Sequence, residues 1–119
     1  MVEPLYRDKI LEHYHHPKNF GLKDGFDIEA KGNNPLCGDR LTIRLKTENG
    51  IITDVCFDGD GCAVSVASAS IFLENIKRKL VESVKKMGDG EIIGMLGVEI
   101  SPARIKCATL ALDTIKKSI

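Results

Sequence analysis

"LTIRLKTENGIITDVCF", Leu41 to Phe57, is the stretch on which the fold turns. Leu41, Ile43 and Leu45 alternate with Thr42, Arg44 and Lys46, and beyond Gly50 Ile51, Thr53, Val55 and Phe57 alternate with Ile52, Asp54 and Cys56. Period-two alternation places apolar side chains on one face of an antiparallel pair. Asn-Gly signals a hairpin. A two-residue loop would pair Leu41 with Asp58 and Ile43 with Cys56, setting apolar residues against polar ones. A three-residue loop, Glu48-Asn49-Gly50, pairs Leu41 with Phe57, Ile43 with Val55 and Leu45 with Thr53. A one-residue slip would turn every side chain to the wrong face, so the three-residue loop is expected.

That register sorts the cysteines. Continued outward, it sets Cys37 opposite Gly61 and beside Cys62, at the open end of the hairpin. It sets Cys56 on the more polar face, opposite Thr42 and next to an Arg44–Asp54 pair, away from the other thiols.

Working outward, "FDIEA" (Phe26–Ala30) alternates in the same way and supplies a third strand. Residues 4–15 read as a helix, with Pro4 in its first turn and an apolar stripe of Tyr6, Ile10, Leu11 and Tyr14. Pro17 ends it. His13, His15 and His16 fit the negative end of that helix better than a metal site. In "GDGCAVSVASAS", Asp60 or Gly61 can cap a helix starting near Cys62, whose thiol then feels the helix's positive end. Short helices follow at "VESVKKM" and "GEIIGML", broken at "GDG". The last segment, "SPARIKCATLALDTIKKSI", has Ser101 as N-cap and Pro102 as first helical residue. Its core stripe is Ile105, Ala108, Leu112, Ile115 and Ile119, and Cys107 lies between that stripe and the exposed side. The expected fold is α+β: a single domain with a three-stranded antiparallel sheet, packed by an N-terminal helix and several C-terminal helices.

Composition narrows the function. The chain has 119 residues, enough for one core, with 17 basic and 17 acidic residues. That balance disfavours nucleic acid as a partner. No apolar run approaches a membrane span, and "MVEPLYRDKI" has no signal-peptide core, so a cytoplasmic protein is expected. Four cysteines there suit metal ligation, reactive thiols or core filling better than a disulfide frame.

Three separated cysteine contexts, "NNPLCGD", "GDGCAVSVASAS" and "ARIKCATLALDTI", resemble the iron–sulfur cluster assembly scaffold family of the IscU, SufU and NifU N-terminal type. "LYRDKILEHYHHPKNFG" resembles that family's N-terminal segment, so the likeness spans residues 1–119. It implies Cys37, Asp39, Cys62 and Cys107 as metal and cluster ligands and leaves Cys56 out. It implies a transient [2Fe–2S] cluster built from iron, brought by an iron donor, and from sulfur brought by a cysteine desulfurase. The cluster then passes to apo-protein acceptors. It implies a scaffold rather than an enzyme. The alternative within the family is the SufU type, a Zn2+-dependent persulfide acceptor with sulfurtransferase activity, using the same ligands. Lys106 stands where many IscU-type chains have histidine, which favours the SufU type, and would offset the site's negative charge or steer an incoming persulfide. The chain lacks the SufU-type insert before the third cysteine, which favours IscU. "ISPAR" replaces the "LPPVK" element that an Hsp70-type chaperone reads, so no chaperone partner is implied. Three thiolates and one harder carboxylate would hold a cluster more loosely than four thiolates, which suits cargo that must leave. Dispersed single cysteines also argue against a purely structural zinc site, where paired C-x-x-C knuckles are usual.

Overall fold

The computed structural model describes residues 4–35, 38–97 and 100–119. Three strands, β1 (Ile28–Asn34), β2 (Asp39–Glu48) and β3 (Ile51–Asp60), form an antiparallel sheet in the order β1-β2-β3. Five helices surround it: α1 (Pro4–His15), α2 (Ala63–Ile76), α3 (Val81–Lys85), α4 (Asp89–Leu96) and α5 (Ile105–Lys116), the last preceded by a single 3-10 turn over Pro102–Arg104. The expected fold class and element order are therefore found, with β1 reaching four residues further than "FDIEA" and beginning two residues later.

The hairpin register differs from expectation, and the reason is instructive. The tip is a two-residue loop, Asn49-Gly50, both residues at positive φ (54° and 79°), and Glu48 pairs with Ile51. Taken alone this loop would misface the strands. A bulge corrects it: Thr47 pairs with Ile52 but Lys46 pairs with Asp54, so Thr53 is an extra residue in β3. Its hydroxyl donates to the Lys46 carbonyl at 3.1 Å. Beyond the bulge Ile43 pairs with Phe57, Leu45 with Val55 and Leu41 with Gly59. This is two residues from the expected register, and a shift of two preserves facing. Ile43, Leu45, Val55 and Phe57 are all buried, as the alternation requires. On the tip side of the bulge the parity flips, so Ile52 is buried and Ile51 is exposed. Cys56 lies opposite Arg44, not Thr42, and Arg44 engages Glu29 and Asp24 instead of Asp54.

The free edge of β3 is tied down at both ends. Near the open end the Asn19 carbonyl and Gly21 N–H bond the backbone of Phe57 at 2.9 and 2.8 Å. Near the tip Lys79 and Arg78 do the same for Ile52.

Helices α2 and α5 carry the core over the sheet. In α2 every residue from Ser65 to Leu73 is buried, because its small side chains admit α1, α4, α5 and β3 around one axis. Helix α5 lies directly on β1: a Cβ at Gly32 would overlap the Thr114 hydroxyl, so glycine sets the approach of helix to strand. With β1 on one side and α2 on another, α5 buries Cys107, Leu110, Ala111 and Thr114 as well as Ala108, Leu112 and Ile115 of its expected stripe, whereas Ile105 and Ile119 are half-buried. In α1, Ile10 packs on the small cluster of Ile71, Leu96 and Ala108, whereas Leu11 and Tyr14 are exposed. His13 Nδ1 meets the Ser70 hydroxyl at 2.8 Å, and that hydroxyl also accepts the Lys18 N–H at 2.8 Å, clasping the end of α1 to α2.

Candidate metal centre

Three of the four expected ligands are described, and the fold brings all three together. Asp39 opens β2, Cys62 is the N-cap of α2, and Cys107 sits in the first turn of α5. A carboxylate oxygen of Asp39 and the sulfurs of Cys62 and Cys107 lie within 4.8 Å of one another. Cys37 lies outside the described residues. The N-terminus of α2 thus meets the carboxylate, and its partial positive charge favours thiolate at Cys62.

The hydrogen bonding is incomplete in a telling way. Asp39 Oδ1 accepts the Cys62 N–H at 3.0 Å, replacing a side-chain cap for α2. Asp39 Oδ2 is buried and has no hydrogen-bond partner among the described residues. A buried, partnerless carboxylate oxygen costs several times what a hydrogen bond normally contributes unless something else satisfies it. Two neighbouring sulfurs are poor candidates, but a metal ion between them is a good one. Burial raises the Asp39 carboxyl pKa. The neighbouring Ser65 hydroxyl, Cys107 thiol and Cys62 N–H, with the Arg104 charge, outweigh it and hold Asp39 below the usual carboxylate value. For Cys62 burial also opposes ionisation, and the Asp39 charge adds to it. The Ser65 N–H and hydroxyl and the Cys107 thiol overcome both and bring the thiol below its ordinary value. Asp39 and Cys62 are thus biased towards the deprotonated forms that bind metal.

Space beside the carboxylate is set by Gly61. A Cβ there would come 2.9 Å from both Asp39 Oδ1 and Ser65 Cβ. Cys62 is half-buried while Asp39 and Cys107 are fully buried, so Cys62 is the described sulfur open to solvent.

Lys106 is exposed and lines a groove of about 270 Å³ with Asn33, Asn34, Asp113 and Lys117. The cation whose charge bears on Asp39 is Arg104. Arg104, Ser65 and Asn34, whose Nδ2 points to Cys107 Sγ at 3.9 Å, are participants the residue pattern alone did not single out. Ser65 three residues after Cys62 was a legible hint, since that spacing returns a helix-start side chain to its cap. Cys56 is absent from the cluster, as expected, but it is fully buried beneath the 19–24 segment, accepting the Lys23 N–H at 3.4 Å. The three histidines contribute nothing to the cluster.

Residues 5–119 match the family model described as the NifU-like N terminal domain. The chain is 36% identical to the zinc-dependent sulfurtransferase SufU of Bacillus subtilis, covering 99% of this chain and 91% of the relative. It is 34% identical to the iron–sulfur cluster assembly scaffold protein IscU of Thermotoga maritima, covering 97% and 92%. Among solved structures, a candidate SUF-system scaffold from Fervidobacterium islandicum AW-1 superposes with a TM-score of 0.81 at 27% identity, covering 93% of each chain. No helix among the described residues is long and apolar enough to cross a membrane. With a single family model spanning nearly all of its length, the chain belongs to the NifU-like N-terminal domain family.

Proposed function

We propose that this protein is a scaffold on which a [2Fe–2S] cluster is assembled and from which it is handed on, with Cys37, Asp39, Cys62 and Cys107 as its ligands. The observation that carries the reading is the buried Oδ2 of Asp39, which has no hydrogen-bond partner among the described residues and lies beside the sulfurs of Cys62 and Cys107. Iron or zinc would suit that donor set. The cluster is cargo, and the chain's own residues explain why it can be both held and released. Two described thiols supply soft ligands from helix N-termini, and a carboxylate supplies a harder, weaker one. Half-exposed Cys62 is the described thiol that a sulfur donor can reach. Its thiolate attacks the outer sulfur of a desulfurase persulfide. A new S–S bond forms on Cys62, and the desulfurase cysteine leaves as thiolate. Conversion of that sulfur to sulfide takes two electrons from an external reductant.

A second reading has its own support: the likeness to a zinc-dependent sulfurtransferase, together with lysine before Cys107. There Zn2+ is held by the same residues, and the persulfide is passed on without cluster assembly. The decisive experiment is metal analysis of protein purified without oxygen, then anaerobic addition of iron, a cysteine desulfurase and cysteine. Visible cluster absorption that transfers to an apo-ferredoxin supports the scaffold. Stoichiometric zinc that iron does not displace, with persulfide accepted and no cluster formed, supports the sulfur acceptor.

A further inference from the structure

Strand β1 breaks its own pattern at the last position. Its inward residues are Ile28, Ala30, Gly32 and Asn34, and an apolar residue is the expected occupant of the fourth. Asn34 is instead 7% exposed, a buried amide at the end of a core face. Local rules are broken in this way where function requires it.

Three connections leave this residue. Its carbonyl accepts the Gly38 N–H at 2.8 Å, closing the turn between β1 and β2. Its strand partner is Asp39. Its side-chain Nδ2 donates towards Cys107 Sγ at 3.9 Å, a separation in keeping with the large radius of sulfur. A buried sulfur next to a buried carboxylate accumulates negative charge, and an amide N–H stabilises that charge without adding a competing ligand. Lysine in the same place would be a charged group to bury, and aspartate would repel.

We infer that Asn34 is a positioning residue for the metal centre, its amide N–H orienting Cys107 Sγ and drawing electron density from it when a metal is bound. The inference rests on the reading of Cys107 as a ligand. Groups that hydrogen-bond metal ligands tune them in this way, and their loss costs about 10–100-fold in metal affinity.

The test uses the full chain, stripped of metal, titrated anaerobically with Co2+, whose sulfur-to-metal charge-transfer band reports directly on the ligand sulfurs. Asn34→Leu removes the donor at similar size and no charge. Asn34→Ala does so without any risk of overpacking, and keeps the test intact if the leucine variant misfolds. Both variants are expected to move the band to longer wavelength, because an unshielded thiolate gives up its electrons more easily, and to lose about 10–100-fold in Co2+ affinity. An unchanged band, with or without weaker binding, overturns the inference, since structural loosening alone would not shift it. Cys107→Ser separates the two levels of reading. If it weakens the band while the Asn34 variants do not shift it, only the role of Asn34 falls. If it leaves the band as in the unmodified chain, Cys107 is no ligand and the inference falls with the assignment of the site.

Discussion

Cys107 and Cys56 are equally buried, at 1% and 0% exposure, and lie in opposite layers of the molecule. Cys107 enters from a helix start and finds a second sulfur, a carboxylate with a partnerless oxygen, and a side-chain amide. Cys56 projects from the middle of β3 and finds a backbone N–H from Lys23, with Arg44 across the strand pair already engaged by Glu29 at 2.8 Å. Burial therefore does not distinguish a ligand from a core filler. What sets Cys107 apart is the convergence of a second sulfur and a carboxylate around it.

The largest test of this contrast is substitution by serine. Cys107→Ser should abolish stoichiometric zinc or iron, as should Cys62→Ser. Cys56→Ser should keep it and only destabilise the fold, by about 1–3 kcal/mol, because a buried hydroxyl needs a partner that a thiol does not. Metal content and urea unfolding of the three variants measure both effects. Loss of metal from Cys56→Ser alone would erase the distinction.

Next in size is Asp39→Cys. Replacing the hard ligand by a third described thiol should yield a cluster that resists chelators and transfers to an apo-ferredoxin at least tenfold more slowly. Transfer rates at equal loading decide this, and an unchanged rate would mean that Asp39 does not govern release.

Gly61→Ala should have a smaller effect. The new methyl must displace Asp39 or Ser65, at a cost of about 1–3 kcal/mol, and should weaken metal binding while leaving Cys56 as slow towards alkylating reagents as before. Faster alkylation of Cys56 would mean that the glycine acts on the whole fold.

The smallest effect concerns neither thiol. Burial, with Lys18 and Lys9 nearby, lowers the His13 pKa, so the folded state favours the neutral ring that meets Ser70. The stabilisation is present above the unfolded histidine value and is lost as pH falls from there through the lower folded value. The urea midpoint of the metal-free chain should therefore drop as pH falls below the ordinary histidine value of 6.5. His13→Asn should flatten that dependence, whereas Cys56→Ser should leave its slope unchanged.

The fold was legible where one signal dominated. Pro4 and Pro17 bounded α1, and alternation in Leu41–Leu45 and Val55–Phe57 assigned the sheet's faces. The register was not legible, because two errors of pattern cancel: Asn-Gly prefers the two-residue loop, and a bulge at Thr53 restores the facing that this loop would spoil. A bulge leaves little trace in a β-branched run. The burial of Cys107 was equally hidden, since one helix's periodicity reveals one covered face and α5 has two, against β1 and against α2. The grouping of Asp39, Cys62 and Cys107 came from family resemblance. The spacing of Ser65 from Cys62 was a legible hint, whereas Arg104 and Asn34 join the site only through the meeting of separate chain segments.

That meeting has a consequence for how the molecule acquires its stability. Asp39, Cys62 and Cys107 belong to β2, α2 and α5, which touch only when the sheet is closed and the last helix has docked. No partly folded chain presents the set, so an ion bound by it discriminates strongly between native and unfolded molecules. By mass action, free zinc at one hundred times its dissociation constant would add about 2.7 kcal/mol to the folding free energy. Handing over the cargo would withdraw a similar share, leaving the emptied chain the more readily opened of the two.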